Sequence, residues 1–216
     1  VKRFAIVGMP NTGKSTFFNR LTGSSSRVGN WPGVTVELLS ARVVLGSESV
    51  EVVDLPGIYD LHGFSDDEQI VRDFIENNPV DLIGVIVNAT QLEHQLPMAL
   101  QFCKLGLHPI ILINMIDEAD KLGMRIDVKT LAEGIKCPVR TLSARHGTGF
   151  LEARDAITDL IRQSSPVPLG QLRQNLHADD ELVKYSEALT SRCISAPSKV
   201  VREMTERIDR SLLHPV

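Results

Sequence analysis

Four short stretches carry residue types whose spacing suits the handling of a nucleotide. Gly8-Met9-Pro10-Asn11-Thr12-Gly13-Lys14-Ser15 fits the phosphate-binding pattern G-x-x-x-x-G-K-[ST]. Its glycines let the backbone close around a phosphate, successive N–H groups form a nest, and the start of the next helix adds its positive dipole end. Lys14 is expected to reach the β and γ phosphates and the Ser15 hydroxyl to ligand Mg²⁺, with Asn11, Thr12, Gly13 and Thr16 completing the cradle. Asp54-Leu55-Pro56-Gly57 fits D-x-x-G. There Asp54 would hold the Mg²⁺ through water and the Gly57 amide would sense the γ-phosphate. Thr35, at the end of a long loop, is placed to add a hydroxyl to the same ion only while the γ-phosphate is present.

Asn114-Met115-Ile116-Asp117 fits N-x-x-D, and Ser143-Ala144-Arg145 fits the short motif that completes guanine recognition. A carboxylate at Asp117 accepts two hydrogen bonds from guanine N1–H and the exocyclic amine, a pairing adenine does not offer. Leaving such a buried group unpaired makes the discrimination large. Asn114 would brace base and loop, Met115 would line the site, and the Ala144 amide would meet the guanine oxygen. Four motifs in this order read as a GTPase.

Each motif needs an element to present it. Arg3 to Val7 is a short apolar run of buried-strand type, and Ser15 to Leu21 is the first helix, so the glycines fall in the turn between them. Thr22 to Thr35, rich in Gly, Ser and Asn, reads as a loop. Val36 to Leu45 and Ser49 to Asp54 are β-type runs split by Gly46-Ser47, a hairpin. Asp66-Asp67-Glu68 opens a helix with Ile70, Val71, Phe74 and Ile75 on one face. Strand and helix then alternate: strand 80–87, helix 91–105, strand 109–114, helical 118–135, strand 138–142 and helix 149–161. This alternation predicts an α/β protein of the P-loop GTPase type, a doubly wound, mostly parallel sheet with helices on both faces. The sites then sit at the carboxyl ends of the strands.

The alternation stops at Ser164-Ser165-Pro166-Val167-Pro168. The expected organisation is a GTP-binding domain over 1–163, a linker over 164–170 and a small all-helical domain over 171–216. In the last part, helical signals run from Asp179 to about Cys193 and from Ser198 to Leu213, the latter with Val200, Met204, Ile208 and Leu212 as an apolar stripe. Leu182, Tyr185 and Leu189 are the expected partners of that stripe.

The 216 residues carry a formal charge of −4, which argues against a general nucleic-acid binder. Cys103, Cys137 and Cys193 are far apart, odd in number and without C-x-x-C spacing, so neither a disulfide framework nor a zinc site is expected, and a reducing cytosol fits best. The six histidines and three cysteines never fall at i, i+3 or i+4 ligand spacing, so no iron site is expected either. No apolar run approaches the roughly 20 residues that span a bilayer, and the fragment is expected to be soluble.

Ile58 follows Gly57 where small GTPases place the glutamine that orients the attacking water. Slow turnover is expected, with water held by backbone groups, a monovalent ion or a partner.

The runs Gly8 to Thr16, Val28-Gly29-Asn30-Trp31-Pro32-Gly33-Val34-Thr35-Val36-Glu37, Asp54 to Tyr59, Asp67-Glu68 with Arg72-Asp73-Phe74, and Asn114 to Ala119 resemble the GTPase domain of the bacterial ferrous-iron transport protein B family. The resemblance runs to about Arg162 and resumes at Ile208-Asp209-Arg210 and Leu213-His214-Pro215. It implies a slow, Mg²⁺-dependent switch domain at the cytoplasmic face of a bacterial inner membrane, coupling nucleotide state to iron uptake. GTP and GDP are its implied ligands and its own downstream transmembrane domain its implied partner, with a small cytosolic accessory protein and self-association as further candidates. It also implies that the helical segment stabilises bound GDP. Asn11 matches the family's potassium-associated asparagine, and backbone groups of Gly29 to Trp31 would complete a K⁺ cage.

The competing reading is an RNA- or ribosome-associated assembly GTPase, which shares the nucleotide motifs. Such a partner would leave a basic footprint. From Ser165 onward seven Lys or Arg face seven Asp or Glu, a balance that disfavours it.

Overall fold

The computed structural model describes residues 1–23, 26–105, 109–166 and 180–197. A seven-stranded sheet runs in the order β2-β3-β4-β1-β5-β6-β8. Its strands are β1 (Lys2–Gly8), β2 (Arg27–Gly29), β3 (Leu38–Leu45), β4 (Glu48–Asp54), β5 (Leu82–Asn88), β6 (Ile110–Asn114) and β8 (Val139–Thr141). From β4 to β8 every neighbour is parallel, and β2 and β3 are antiparallel additions at one edge. The central strands β5 and β6 are buried along their whole length, as their unbroken apolar runs require when both faces are covered.

Alternation along β1 sorts the core into two layers. Phe4 and Ile6 face α1 (Lys14–Thr22) and α6 (Phe150–Gln163), through Phe17, Phe18, Ile157 and Ile161. Ala5 and Val7 face the cluster built by α2 (Asp66–Asn77), α3 (Leu92–Lys104) and α5 (Val128–Ile135). The two phenylalanines of α1 are adjacent in sequence and both fully buried. Burying each removes on the order of 2–3 kcal/mol of apolar exposure from water, which seats the helix that carries Lys14 and Ser15.

Helix α2 begins on a capping box: Glu68 N–H donates to Ser65 Oγ, and Ser65 N–H donates back to the Glu68 carboxylate. Its three acids in the first turn sit at the positive end of the dipole, as the sequence suggests.

Three places differ from the sequence expectation. Residues 27–29 form the edge strand β2 rather than loop, held because β3 offers a free edge. The continuous helical stretch over 118–135 is divided into α4 (Ile116–Lys121), the short strand β7 (Arg125–Ile126) and α5. Gly123, at φ +71°, ends the first helix, and Asp127 caps the second by accepting from Thr130 N–H, so two helix-boundary signals outweigh the average propensity of the run.

The third difference concerns α7 (Asp180–Cys193). It lies on the sheet domain, against α3 and α5. Leu189 is buried so tightly on Gly134 that a β-carbon there would stand 2.5 Å from its Cδ1, and Tyr185 Oη donates to the Gly134 carbonyl at 2.8 Å. Leu182 packs against the same cluster. These three residues therefore face the sheet domain, because the half-exposed surfaces of α3 and α5 offer them apolar cover. Beyond α7, β9 (Ile194–Ser195) pairs with β7. The predicted helix over 198–213 lies outside the described residues, as does most of the expected linker. Among the described residues no helix is long and apolar enough to cross a membrane.

Candidate functional site

The phosphate loop hangs between β1 and α1. Asn11 and Gly13 both take positive φ, at 64° and 82°, which turns successive amides to one side. Glycine is required at two points. A β-carbon on Gly8 would meet the Ile86 carbonyl oxygen at 2.5 Å, and one on Gly13 would meet Asn114 Nδ2 at 2.3 Å. The loop is closed from within by Thr12 Oγ1, which donates to the Met9 carbonyl at 3.0 Å.

From α1, Lys14 Nζ reaches Asp54 Oδ1 at 3.0 Å, and Ser15 Oγ donates to Asp54 Oδ2 at 3.1 Å. Asp54 is the last residue of β4 and sits level with Ile6 on β1, so parallel register delivers the carboxylate to the phosphate loop. A hydroxyl and a carboxylate meeting within 3.1 Å are the hard oxygen donors that Mg²⁺ prefers, so the residues fit that ion. Gly57 crosses close to the same loop, where a β-carbon would stand 3.1 Å from Pro10 N. Ile58 is buried, and its N–H donates to the Gly8 carbonyl at 3.1 Å. The residue at the glutamine position is thus a core side chain whose amide ties the D-x-x-G turn to the phosphate loop.

Asn114 ends β6 and bridges two loops. Its Nδ2 donates to the Thr12 carbonyl and its Oδ1 accepts from Ala144 N–H, both at 2.8 Å. The Ala144 amide, expected on the guanine oxygen, donates to Asn114 Oδ1, a buried asparagine oxygen at 2 % exposure that needs a donor. A cleft of about 460 Å³ opens beside this bridge, lined by Gly13, Thr16, Asn114, Met115, Asp117, Ser143 and Arg145 together with Glu118, Lys121 and His146. Met115, at φ +61°, turns the chain so that Asp117 stands in the first turn of α4.

The Ser143 hydroxyl holds the Asp117 carboxyl below the usual aspartate range, helped by its own backbone amide, His146 and Lys121 against the opposing effect of burial. His146 Nε2 lies 3.4 Å and Lys121 Nζ 3.9 Å from Asp117 Oδ2. A carboxylate kept ionised in a cleft can accept two donors at once. Arg20, on α1, fastens the far side of the pocket: Nε donates to the Ala144 carbonyl at 2.6 Å and Nη2 to the Arg145 carbonyl at 2.9 Å. Sequence reasoning missed Arg20, Lys121 and His146. Lys121 was detectable as the i+4 partner of Asp117 and His146 as the residue after Ser143-Ala144-Arg145, whereas nothing local marks Arg20.

The residues expected to close over the phosphates stand elsewhere. Thr35 is exposed in a bend before β3, and Gly29 pairs with Leu38. The Trp31 ring packs edge-on against Phe74 of α2 at 5.1 Å, with the Arg3 guanidinium 4.8 Å above it, and Asn78 Nδ2 donates to the Pro32 carbonyl at 3.0 Å. Aromatic and cation–π contacts thus hold residues 31–34 on α2. Among the described residues no hydrogen bond joins Gly29, Trp31 or Thr35 to Asn11, Lys14, Ser15 or Asp54.

A family model described as Ferrous iron transport protein B matches residues 2–157. The Fe(2+) transporter FeoB of Synechocystis sp. is 43% identical over 216 residues, covering 100% of this chain and 35% of that protein. The Fe(2+) transporter FeoB of Escherichia coli K12 is 39% identical over 184 residues, covering 83% of this chain and 24% of that protein. The chain therefore spans about a third or less of the length of these relatives. Among solved structures, the cytosolic domain of L. pneumophila FeoB superposes with a TM-score of 0.76 at 26% identity, covering 90% of this chain and 100% of that one. The FeoB G-domain from Methanococcus jannaschii superposes at 0.66 with 37% identity, covering 74% of this chain and 97% of that one. With the family model spanning residues 2–157 and relatives 39–43% identical, the chain belongs to the ferrous iron transport protein B family.

Proposed function

We propose that this chain binds GTP and hydrolyses it slowly, as the nucleotide switch of a ferrous-iron transporter at the cytoplasmic face of the inner membrane. The observation that carries the reading is the Asn114 bridge, which locks the phosphate loop and the base pocket into one site. Residues 1–163 would form the GTP-binding domain, 164–170 a linker and 171–216 a helical segment leading toward a transmembrane domain. An accessory protein and self-association remain candidates for further partners.

In this reading the amides of 9–15 hold the β and γ phosphates, and Lys14 turns from Asp54 to the γ oxygens. Ser15 and Asp54, joined by Thr35, would hold Mg²⁺, which would offset negative charge developing on the β and γ phosphates. Asp117 reads the guanine edge. A water attacks the γ-phosphorus, the bond to the β–γ bridging oxygen breaks, and GDP and phosphate leave. Ile58 cannot orient that water, which backbone groups such as the Gly57 amide, a monovalent ion or a partner would hold instead. Asn11, with backbone groups of Gly29 and Trp31, would hold K⁺ beside the phosphates, in the place of an arginine finger.

The test is titration of the purified chain with GTP and ATP in Mg²⁺, followed by phosphate release. Binding of GTP at least roughly 100-fold tighter than ATP, with slow release, is expected. Equal affinity for the two overturns the reading.

A further inference from the structure

Cys103 stands in the last turn of α3, and Cys137 lies between α5 and β8. They are 34 positions apart in sequence, yet their sulfurs are 3.2 Å apart. A disulfide requires about 2.05 Å, so a movement of roughly 1 Å closes the pair. Cys103 is half-buried and Cys137 buried, and both are free thiols. Cys193, buried at the end of α7, has no hydrogen bond to either among the described residues.

The contact also couples the two thiols. It holds the Cys137 thiol below its ordinary value against the effect of burial and, with burial, pushes Cys103 up. Cys103, the half-buried one, is the more open to a small oxidant, and each sulfur lies within reach of the other to resolve it.

Helix α3 is well placed to transmit a change at its end. Gln101, two residues before Cys103, accepts from Leu61 N–H at 2.9 Å and donates to Asp60 Oδ1 at 2.8 Å. Those residues continue the turn that begins at Asp54-Leu55-Pro56-Gly57. The same helix packs on α7.

We propose that Cys103 and Cys137 are a redox-modification site, oxidised by a hydroperoxide to a disulfide that fixes the end of α3 and so alters the nucleotide cycle. One thiol sulfur of the pair attacks a peroxide oxygen, the O–O bond breaks, and water leaves. The other sulfur then attacks the sulfenic sulfur, the S–S bond forms, and the hydroxyl leaves as a second water. Two thiols give up two protons and two electrons, and hydrogen peroxide takes both to become two waters; a dithiol reverses the step. A buried pair of this kind suits a reducing compartment, where disulfides are transient and sensory. The effect on the nucleotide cycle rests on the GTPase reading, and the disulfide itself does not. Ferrous iron and peroxide generate radicals together, so an importer of that ion would gain from such a device.

The experiment treats the purified chain with a few equivalents of hydrogen peroxide and counts thiols by alkylation. The three thiols should fall to one and return with dithiothreitol, and a non-reducing peptide map should join the segments holding Cys103 and Cys137. Cys193→Ser should fall from two to none, whereas Cys103→Ser and Cys137→Ala should form no intramolecular disulfide. Single-turnover GTP hydrolysis by the oxidised chain should differ at least about threefold from the reduced chain, and the double variant Cys103→Ser/Cys137→Ala should be insensitive to peroxide. Three persisting thiols, a disulfide involving Cys193, or equal rates in the two redox states would overturn the proposal. Failure of the reduced chain to bind GTP would instead strike the functional reading, leaving the thiol count to decide the redox site.

Discussion

Asn114 Nδ2 donates to the Thr12 carbonyl at 2.8 Å, a bond between two loops 102 residues apart in sequence. With its oxygen on Ala144 N–H, this one side chain holds three strand ends at fixed separation. We predict that Asn114→Ala leaves the Thr12 carbonyl and the Ala144 amide unpaired in a buried place. Each unpaired group costs about 1–3 kcal/mol, so a loss of roughly 2–6 kcal/mol in urea unfolding is expected, with GTP affinity down at least about tenfold. A loss below about 1 kcal/mol would show that the bridge is incidental.

Trp31 is the only tryptophan, and its ring is held by Phe74 and Arg3 on the flank of α2. In the proposed reading, bringing Thr35 to Mg²⁺ and the γ-phosphate draws residues 31–34 away from α2. We predict that a non-hydrolysable GTP analogue with Mg²⁺ shifts Trp31 emission and protects Gly29 to Val34 from proteolysis, while GDP does neither. Identical spectra and identical cleavage in the two states would contradict this. Phe74→Ala should release the loop in the GDP state as well.

Much of this was legible in the sequence because each nucleotide motif is local. The strand before it and the turn after it are coded by neighbouring residues, as with Gly8 to Ser15 and Asp54 to Gly57. What was not legible depends on contacts made across the fold. Trp31 lies in a run without periodicity, and only the position of Phe74 shows where its ring goes. Residues 27–29 are too few to alternate detectably and become a strand only because β3 has an open edge. Gly123 and Asp127 divide 118–135, signals that were present and outweighed in the reading by the overall helical character of the run. Leu189, read as part of a helical pair, packs on Gly134, a contact no local signal marks.

The K⁺ assignment predicts faster turnover in KCl than in NaCl, since a cation beside the β and γ phosphates offsets charge developing in the transition state. Asn11→Ala should erase the difference while leaving GDP binding within about twofold. Equal rates in the two salts would remove K⁺ from the account.

Burial opposes ionisation of Glu68, but bonds from the Ser65 backbone and hydroxyl and from the Asp60 backbone outweigh it and hold its carboxyl below the usual value. A depressed carboxylate contributes stability that is present above its unfolded value of about 4.3 and lost as pH falls through the lower folded value. Ser65→Ala should therefore cost about 1 kcal/mol at pH 7 and less at pH 3. Denaturant midpoints at the two pH values measure this, and an equal cost at both would mean that the carboxylate plays no part in the cap.

On the proposed reading, Asp117, held below the usual aspartate range beside Ser143 and His146, reads guanine. The most direct measurement is the affinity of Asp117→Asn for GTP and for xanthosine triphosphate, in which an oxygen replaces the exocyclic amine. The variant should lose GTP by roughly 100-fold or more and gain xanthosine triphosphate. A folded variant that keeps the parent's GTP affinity would contradict it.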